Sequence, residues 1–147
     1  MSFFNSMNVS ASGMTAQRLR TDIISQNLAN INTTRDENGE PYVRKTVVFA
    51  EKDHSNFGSV FNKAIGHTGN GVKVVEIVED TKTDMKMVYD PSHPDADEDG
   101  YVTYPNVDTV TEMTNMIDAS RAYEANVTAF NASKNMLMKT LEIGQKA

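Results

Sequence analysis

Residues 90 to 107, DPSHPDADEDGYVTYPNV, hold the densest cluster of potential ligands in the chain. Asp95, Asp97 and Asp99 alternate and Gly100 follows, the spacing that opens a calcium-binding loop. Such a loop ends on a bidentate Glu at its twelfth position. Counted from Asp95, that position is Asn106, preceded by Pro105, and the DPSHP run upstream admits no entering helix. An amide cannot replace the bidentate carboxylate, so the pattern predicts a solvated acidic loop and no high-affinity metal site. Weak divalent-ion binding at Asp95, Asp97 and Asp99 stays open, and a calcium-responsive protein is the second functional reading.

Other chemistry-bearing residues draw no site. His54, His67 and His93 lie in polar loop sequence, in no paired zinc spacing and beside no nucleophile motif. Gly66, Gly69 and Gly71 lack the Lys and the strand-to-helix setting of a phosphate loop, so they read as a turn. Cysteine is absent, which removes disulfides, thiolate nucleophiles and cysteine-ligated metals together. Four Asn-x-Ser/Thr matches begin at Asn8, Asn32, Asn126 and Asn131, and in a chain rich in these residues they are read as compositional. No catalytic residue, cofactor or metal ligand is assigned, and the chain is not read as an enzyme.

The elements around these loops are more informative. Phe3, Met7, Met14, Ile24, Leu28 and Ile31 fall on a seven-residue grid and predict an N-terminal helix of roughly 40 Å. Ser10, Gln17 and Thr21 interrupt its apolar stripe. The SQNLANINTT run then predicts a helix end and exit. From Asn106 to Ile143 the signal is stronger. Met116, Tyr123, Phe130 and Leu137 recur every seven residues, with Met113, Val127 and Leu141 on the neighbouring line. Asp108 is the expected N-cap, Glu112 an acid suited to the first turns, and Gly144 the expected stop. Between the helices, Tyr42–Phe49, Val72–Val78 and Asp84–Tyr89 are strand-like, the last two reading as a hairpin. Tyr101–Tyr104 reads as one further short strand.

The expected fold is therefore α+β: long N- and C-terminal helices packing as a coiled-coil-like pair, with a small β-rich centre. Its divisions are 1–34, 35–105 (including the acidic connector) and 106–147. So small a centre cannot cover two long seams. Periodicity alone leaves open whether the remaining cover is an ordinary bundle within the chain or neighbouring copies. The net charge of −6, with dispersed Lys and Arg, disfavours nucleic acid. No run approaches the ~20 apolar residues of a membrane span, so no membrane insertion is expected. The first cation is Arg18 and no continuous apolar run precedes it, so no cleavable secretory signal is expected.

SASGMTAQRLRTDIISQNLANINTT, residues 10 to 34, resembles the N-terminal signature of bacterial flagellar axial proteins, the rod and hook family, with Ala29, Asn30, Asn32 and Thr33 in its closing motif. Residues 106 to 144 are similar to the partner C-terminal signature, most tellingly at Val107-Asp108, Glu112-Met113 and Arg121 to Asn126, which includes Tyr123. HPDADEDGYVTYPNV and the short centre resemble the proximal rod member of that family. The resemblance implies a structural subunit of the basal-body rod, the shaft that carries motor torque. It implies helical self-assembly in the rod's periplasmic span and leaderless delivery by the flagellar type III export apparatus. Implied neighbours are the rod proteins FlgB, FlgF and FlgG and the rod–MS-ring linker FliE. On this reading the seams are shared between copies, through Met7, Met14, Ile24, Leu28, Ile31, Met113, Met116, Tyr123, Val127, Phe130, Leu137 and Leu141.

Overall fold

The computed structural model describes residues 3–36, 39–52 and 70–145. His54, His67, Gly66 and Gly69 lie outside the described residues, and the side chain of Phe3 is likewise not described. The order of elements is α1 (Phe3–Ala29), β1 (Lys45–Glu51), β2 (Val72–Glu79), β3 (Lys86–Tyr89), β4 (Tyr101–Tyr104) and α2 (Thr109–Gln145). The fold is α+β, two long helices with a small centre of antiparallel strands.

Proline-free sequence lets α1 run 27 residues, about 40 Å, and α2 run 37 residues, about 55 Å. α1 ends where amide side chains take over its backbone. The Asn30 amide donates to the Gln26 carbonyl, and the Thr33 N–H donates to the Asn30 carbonyl at 3.0 Å. Asp108 starts α2: its carboxylate accepts from the Thr111 N–H at 3.0 Å and the Thr111 hydroxyl at 2.8 Å. These two bonds hold the Asp108 carboxyl below the usual carboxylate range. Gly144 does not stop α2. It lies within the helix, without a positive φ, because nothing else in the final turns breaks the hydrogen-bond ladder.

The expected hairpin of β2 with β3 is not formed. β2 pairs antiparallel with β1, Lys45 opposite Glu79 and Glu51 opposite Val72, with an irregularity between Val48 and Phe49. β3 pairs instead with β4, Lys86 opposite Tyr104 and Tyr89 opposite Tyr101. The turn between β2 and β3 is diverted because Asp80 binds it locally: its carboxylate accepts from Lys82 N–H, Thr83 N–H and the Thr83 hydroxyl. The peptide oxygens of Asp80 and Thr83 are then taken by the Asn106 amide, which turns β3 toward β4.

The acidic stretch closes the β3–β4 ribbon. Gly100, at φ +82°, makes its last turn, where a Cβ would lie 3.0 Å from the Tyr89 ring and 3.2 Å from Pro91. The apolar core is thin. Ala16, Ile23, Ile24, Val102, Val107 and Ala119 are its buried hydrophobic members, and the largest side chain buried completely is that of Glu112.

Candidate assembly interface

Two contacts set the pairing of the long helices. The Asn27 amide donates to Glu112 Oε2 at 2.9 Å. Gly13 lies so close to Asn126 that a Cβ there would meet its Oδ1 at 2.7 Å. These contacts lie 14 residues apart on each helix and run in opposite senses, so α1 and α2 are antiparallel and Phe3–Ala29 lies along residues 110–136. Residues 137–145 of α2 project past α1 by about 13 Å.

The inner line of α2 is not the apolar line that periodicity selects. Glu112, Ala119 and Ser133 are buried and Asn126 half-buried, at intervals of seven. Met116, Phe130 and Leu137, from the predicted line, are half-buried beside them, and Tyr123 is 40% exposed. On α1 the covered residues are Ser10, Ala16, Ile23, Ile24 and Asn27, with Gln17 Oε1 buried and accepting no hydrogen bond among the described residues. Small residues let the helices approach closely, and the larger apolar side chains are pushed to the flanks. Ile24, expected at a seam between copies, is thus buried inside the chain.

The predicted interface residues divide accordingly. Met7, Met14, Leu28 and Ile31 on the α1 side are half-buried, as is Val127 on α2. Met14 and Tyr123 line one open groove of about 800 Å³, between α1 and the start of β2. Met113 and Leu141 are 55% and 56% exposed. Val110, Met113 and Ile117, at helical spacing, form one exposed stripe, and Met136, Met138 and Ile143 are exposed near the far end. The signature residues Asn30 and Thr33 build the exit turn of α1, and Asn126 donates to the Ala122 carbonyl. Ala29 and Asn32 face solvent.

Where helices and strands meet, a polar network replaces the missing apolar core. The amide of Asn27 is fully buried and fully bonded. Its NH2 donates to Lys45 O at 2.8 Å and to Glu112, and its oxygen accepts from Lys45 N–H and the Tyr42 hydroxyl, both at 2.9 Å. Glu112 Oε1 accepts from Arg44 Nε at 2.9 Å and Nη2 at 2.7 Å. Arg44 also contacts Asp80 at 3.4 Å, and its N–H donates to Asn106 Oδ1 at 2.9 Å. Burial, with the Glu79 and Glu112 carboxylates nearby, pushes the Tyr42 phenol above its ordinary value. Every buried charge here has a hydrogen-bonded counter-charge, which such burial requires. Apolar periodicity carries no signal for this network, because Asn27, Arg44, Asn106 and Glu112 are all polar.

The acids of the calcium-like stretch do not converge. Asp95 accepts from the Thr34 hydroxyl at 2.8 Å and pairs with Arg35 at 3.1 Å, tying the stretch to the exit of α1. Asp97 Oδ1 accepts from the N–H groups of Asp99 and Tyr101, closing a turn. His93 Nδ1 accepts from the Asp95 N–H. Among the described residues, no three acids or histidines come together as a metal site.

Known proteins place this arrangement. A family profile described as flagella basal body rod protein matches residues 7–35, and one described as flagellar basal body rod FlgEFG protein C-terminal matches residues 98–143. A flagellar basal-body rod protein FlgC of Bacillus subtilis (strain 168) is 53% identical over 152 aligned positions, covering 99% of this chain and 100% of the relative. The chain belongs to the FlgC family of flagellar basal-body rod proteins. FlgC proteins of Borreliella burgdorferi and Escherichia coli O6:H1 are 45% and 41% identical, again across 99% of the chain and 99% and 100% of the relatives. The FlgC family is a structural one, so the chain is a component of the flagellar basal-body rod. The two matched segments of this FlgC-family chain contain most of α1 with its exit turn, and β4 with most of α2. Among the described residues, no helix is long and apolar enough to cross a membrane.

Proposed function

We propose that the chain is a subunit of the proximal rod that polymerises helically through α1 and α2, and that the resulting shaft transmits torque. The observation that carries this reading is the uncovered apolar surface of α2. Val110, Met113, Ile117, Met138, Leu141 and Ile143 stand in solvent although the helix is already paired with α1. A contact between that surface and a different surface of the next copy is heterologous, does not close on itself and grows a filament. Torque is then borne by many small dispersion contacts along two long helices, and the methionines adapt to unlike neighbours.

Met7, Met14, Leu28 and Ile31 of the α1 segment and Met113, Met116, Tyr123, Val127, Phe130, Leu137 and Leu141 of α2 supply the contacts between copies. Ile24 supports them from inside. In this reading residues 1–34 and 106–147 are the axial segments, and 35–105 the outer β module with its acidic connector. As a rod protein the chain assembles with other rod proteins; FlgB, FlgF, FlgG and FliE are the proposed neighbours. Delivery to the periplasmic span is by the flagellar type III export apparatus.

The test is complementation of a flagellated host lacking its own copy. Met113→Glu/Leu141→Glu should keep the parental far-ultraviolet circular dichroism of the purified chain and abolish swimming. Swimming at the parental level would sink the reading.

A further inference from the structure

We infer that the exposed stripe at the start of α2 docks into the open groove between α1 and the start of β2 of a second copy of this chain. The inference rests on the assembly reading above and names the two surfaces that meet. Leu19, Val72 and Val74 line the groove beside Met14. Its charged members among the described residues are three cations, Arg18, Lys52 and Lys73, and one acid, Asp22. The groove is thus an apolar floor with a positive rim.

The stripe has the matching character. Val110, Met113 and Ile117 are exposed and point away from α1, because Glu112, on the opposite side of the helix, is the residue sealed against it. Asp118 and Glu124 follow beside the stripe, also exposed, with Arg121 between them. Among the described residues, Arg18, Lys52, Lys73, Asp118 and Glu124 form no ion pair, so the charges on both surfaces are unspent. The acids beside the stripe answer the cations of the groove, and Arg121 answers Asp22. The far end of α2 is the competing apolar surface, and its charge selects against it. Lys134 and Lys139 are exposed there, and Glu142 is already bonded to Lys139 at 2.8 Å. Length agrees as well: Val110 to Ile117 spans about 10 Å, and the α1 wall of the groove, Ala11 to Asp22, about 16 Å.

Within one chain the two surfaces cannot meet. The start of β2 is tied to α1 at Ser12, whose hydroxyl accepts from the Val72 N–H at 3.0 Å, whereas Glu112 holds the stripe beside Asn27. Ser12 and Asn27 lie about 22 Å apart along α1, and the stripe faces the other way. A second copy brings them together, each copy offering its stripe to one neighbour and its groove to another. Unlike surfaces in contact do not close on themselves, so the contact extends a filament. Apolar burial supplies its driving force, and the flanking charges fix which part of α2 enters the groove.

The chain has no cysteine, so an engineered pair reports cleanly. A disulfide needs Cα atoms within about 7 Å, so Val72→Cys with Met113→Cys can close only between copies. The variant is expressed in a flagellated host lacking its own copy, and its basal bodies are purified and oxidised. Multimers beyond the dimer should form at least about ten-fold more than from either single-cysteine chain or from Val72→Cys with Met138→Cys. A chain present in basal bodies that forms no such multimers overturns the docking and leaves the assembly reading standing. So does one in which Met138→Cys links as well as Met113→Cys. Charge reversal decides the matter if the cysteine chain does not assemble. Arg18→Glu/Lys73→Glu and Asp118→Lys/Glu124→Lys should each lower the amount of chain in basal bodies at least about five-fold, and the two sets in one chain should return it to within about two-fold of the parent. Reversals that leave the parental amount overturn the docking, as does a combined chain that assembles no better than either half. Absence of the parent itself from basal bodies would overturn the assembly reading along with it.

Discussion

Glu112 has no exposed surface and is bonded to two other segments of the chain, Asn27 on α1 and Arg44 before β1, and to Asn115 one turn along its own helix. Removing it takes from the Arg44 guanidinium its shortest ion pair, leaving only Asp80 at 3.4 Å, and from the buried Asn27 NH2 one of its two acceptors. Glu112→Ala is expected to destabilise the chain by about 3 kcal/mol, as for other broken buried pairs, read as a lower midpoint in urea. Glu112→Gln keeps the shape and one acceptor and should lose less. Asp80, Asp90 and Asp108 tell a different story, since each is held below the ordinary carboxylate range by local hydrogen bonds, from Thr83, Ser92 and Thr111 first of all. A depressed folded pKa adds stability above the unfolded value of about 4, lost as pH falls through the folded value. The thermal midpoint should therefore drop as pH falls below about 4, less steeply in Asp108→Asn than in the parent. Tyr42 has the opposite sign: its raised pKa costs stability only as pH climbs beyond about 10, and Tyr42→Phe should lack that alkaline loss.

At the scale of elements, the helices show how a periodicity can be right in period and shifted in face. Met116, Tyr123 and Phe130 do lie at the seam, but on its flank, because Ala119, Asn126 and Ser133 let α1 come closer on the adjacent line. Gly13 is the counterpart on α1. A β-branched side chain there would strike Asn126 and force the helices apart. Gly13→Val should cost about 1–3 kcal/mol, although valine is the better helix former, and denaturant unfolding of the purified chain checks it. The strands illustrate the converse limit. A short polar link between two β-rich runs reads as a hairpin, yet pairing is decided by what else can bind the link. Here Asn106, more than twenty residues later in the chain, captures its carbonyls and sends β3 to β4.

For the whole molecule, two long helices and a thin core leave more apolar surface than the chain buries, and the proposed assembly into a rod would cover it. The excess sits on α2, where Val110 and Met113 face solvent while Glu112 between them is sealed. The amino-acid sequence by itself determined the two helices, the β-rich centre, the N-cap at Asp108 and the kinship with rod proteins. Those features are written in local periodicity, capping chemistry and contiguous signatures. It also showed that the acidic stretch lacks the twelfth ligand of a calcium loop. Only the tertiary structure decided which line of each helix turns inward, which strands pair, and that Asn27, Arg44, Asn106 and Glu112 form one network. Those outcomes depend on hydrogen bonds between residues as many as 85 positions apart, and a buried amide or carboxylate looks the same in sequence as an exposed one.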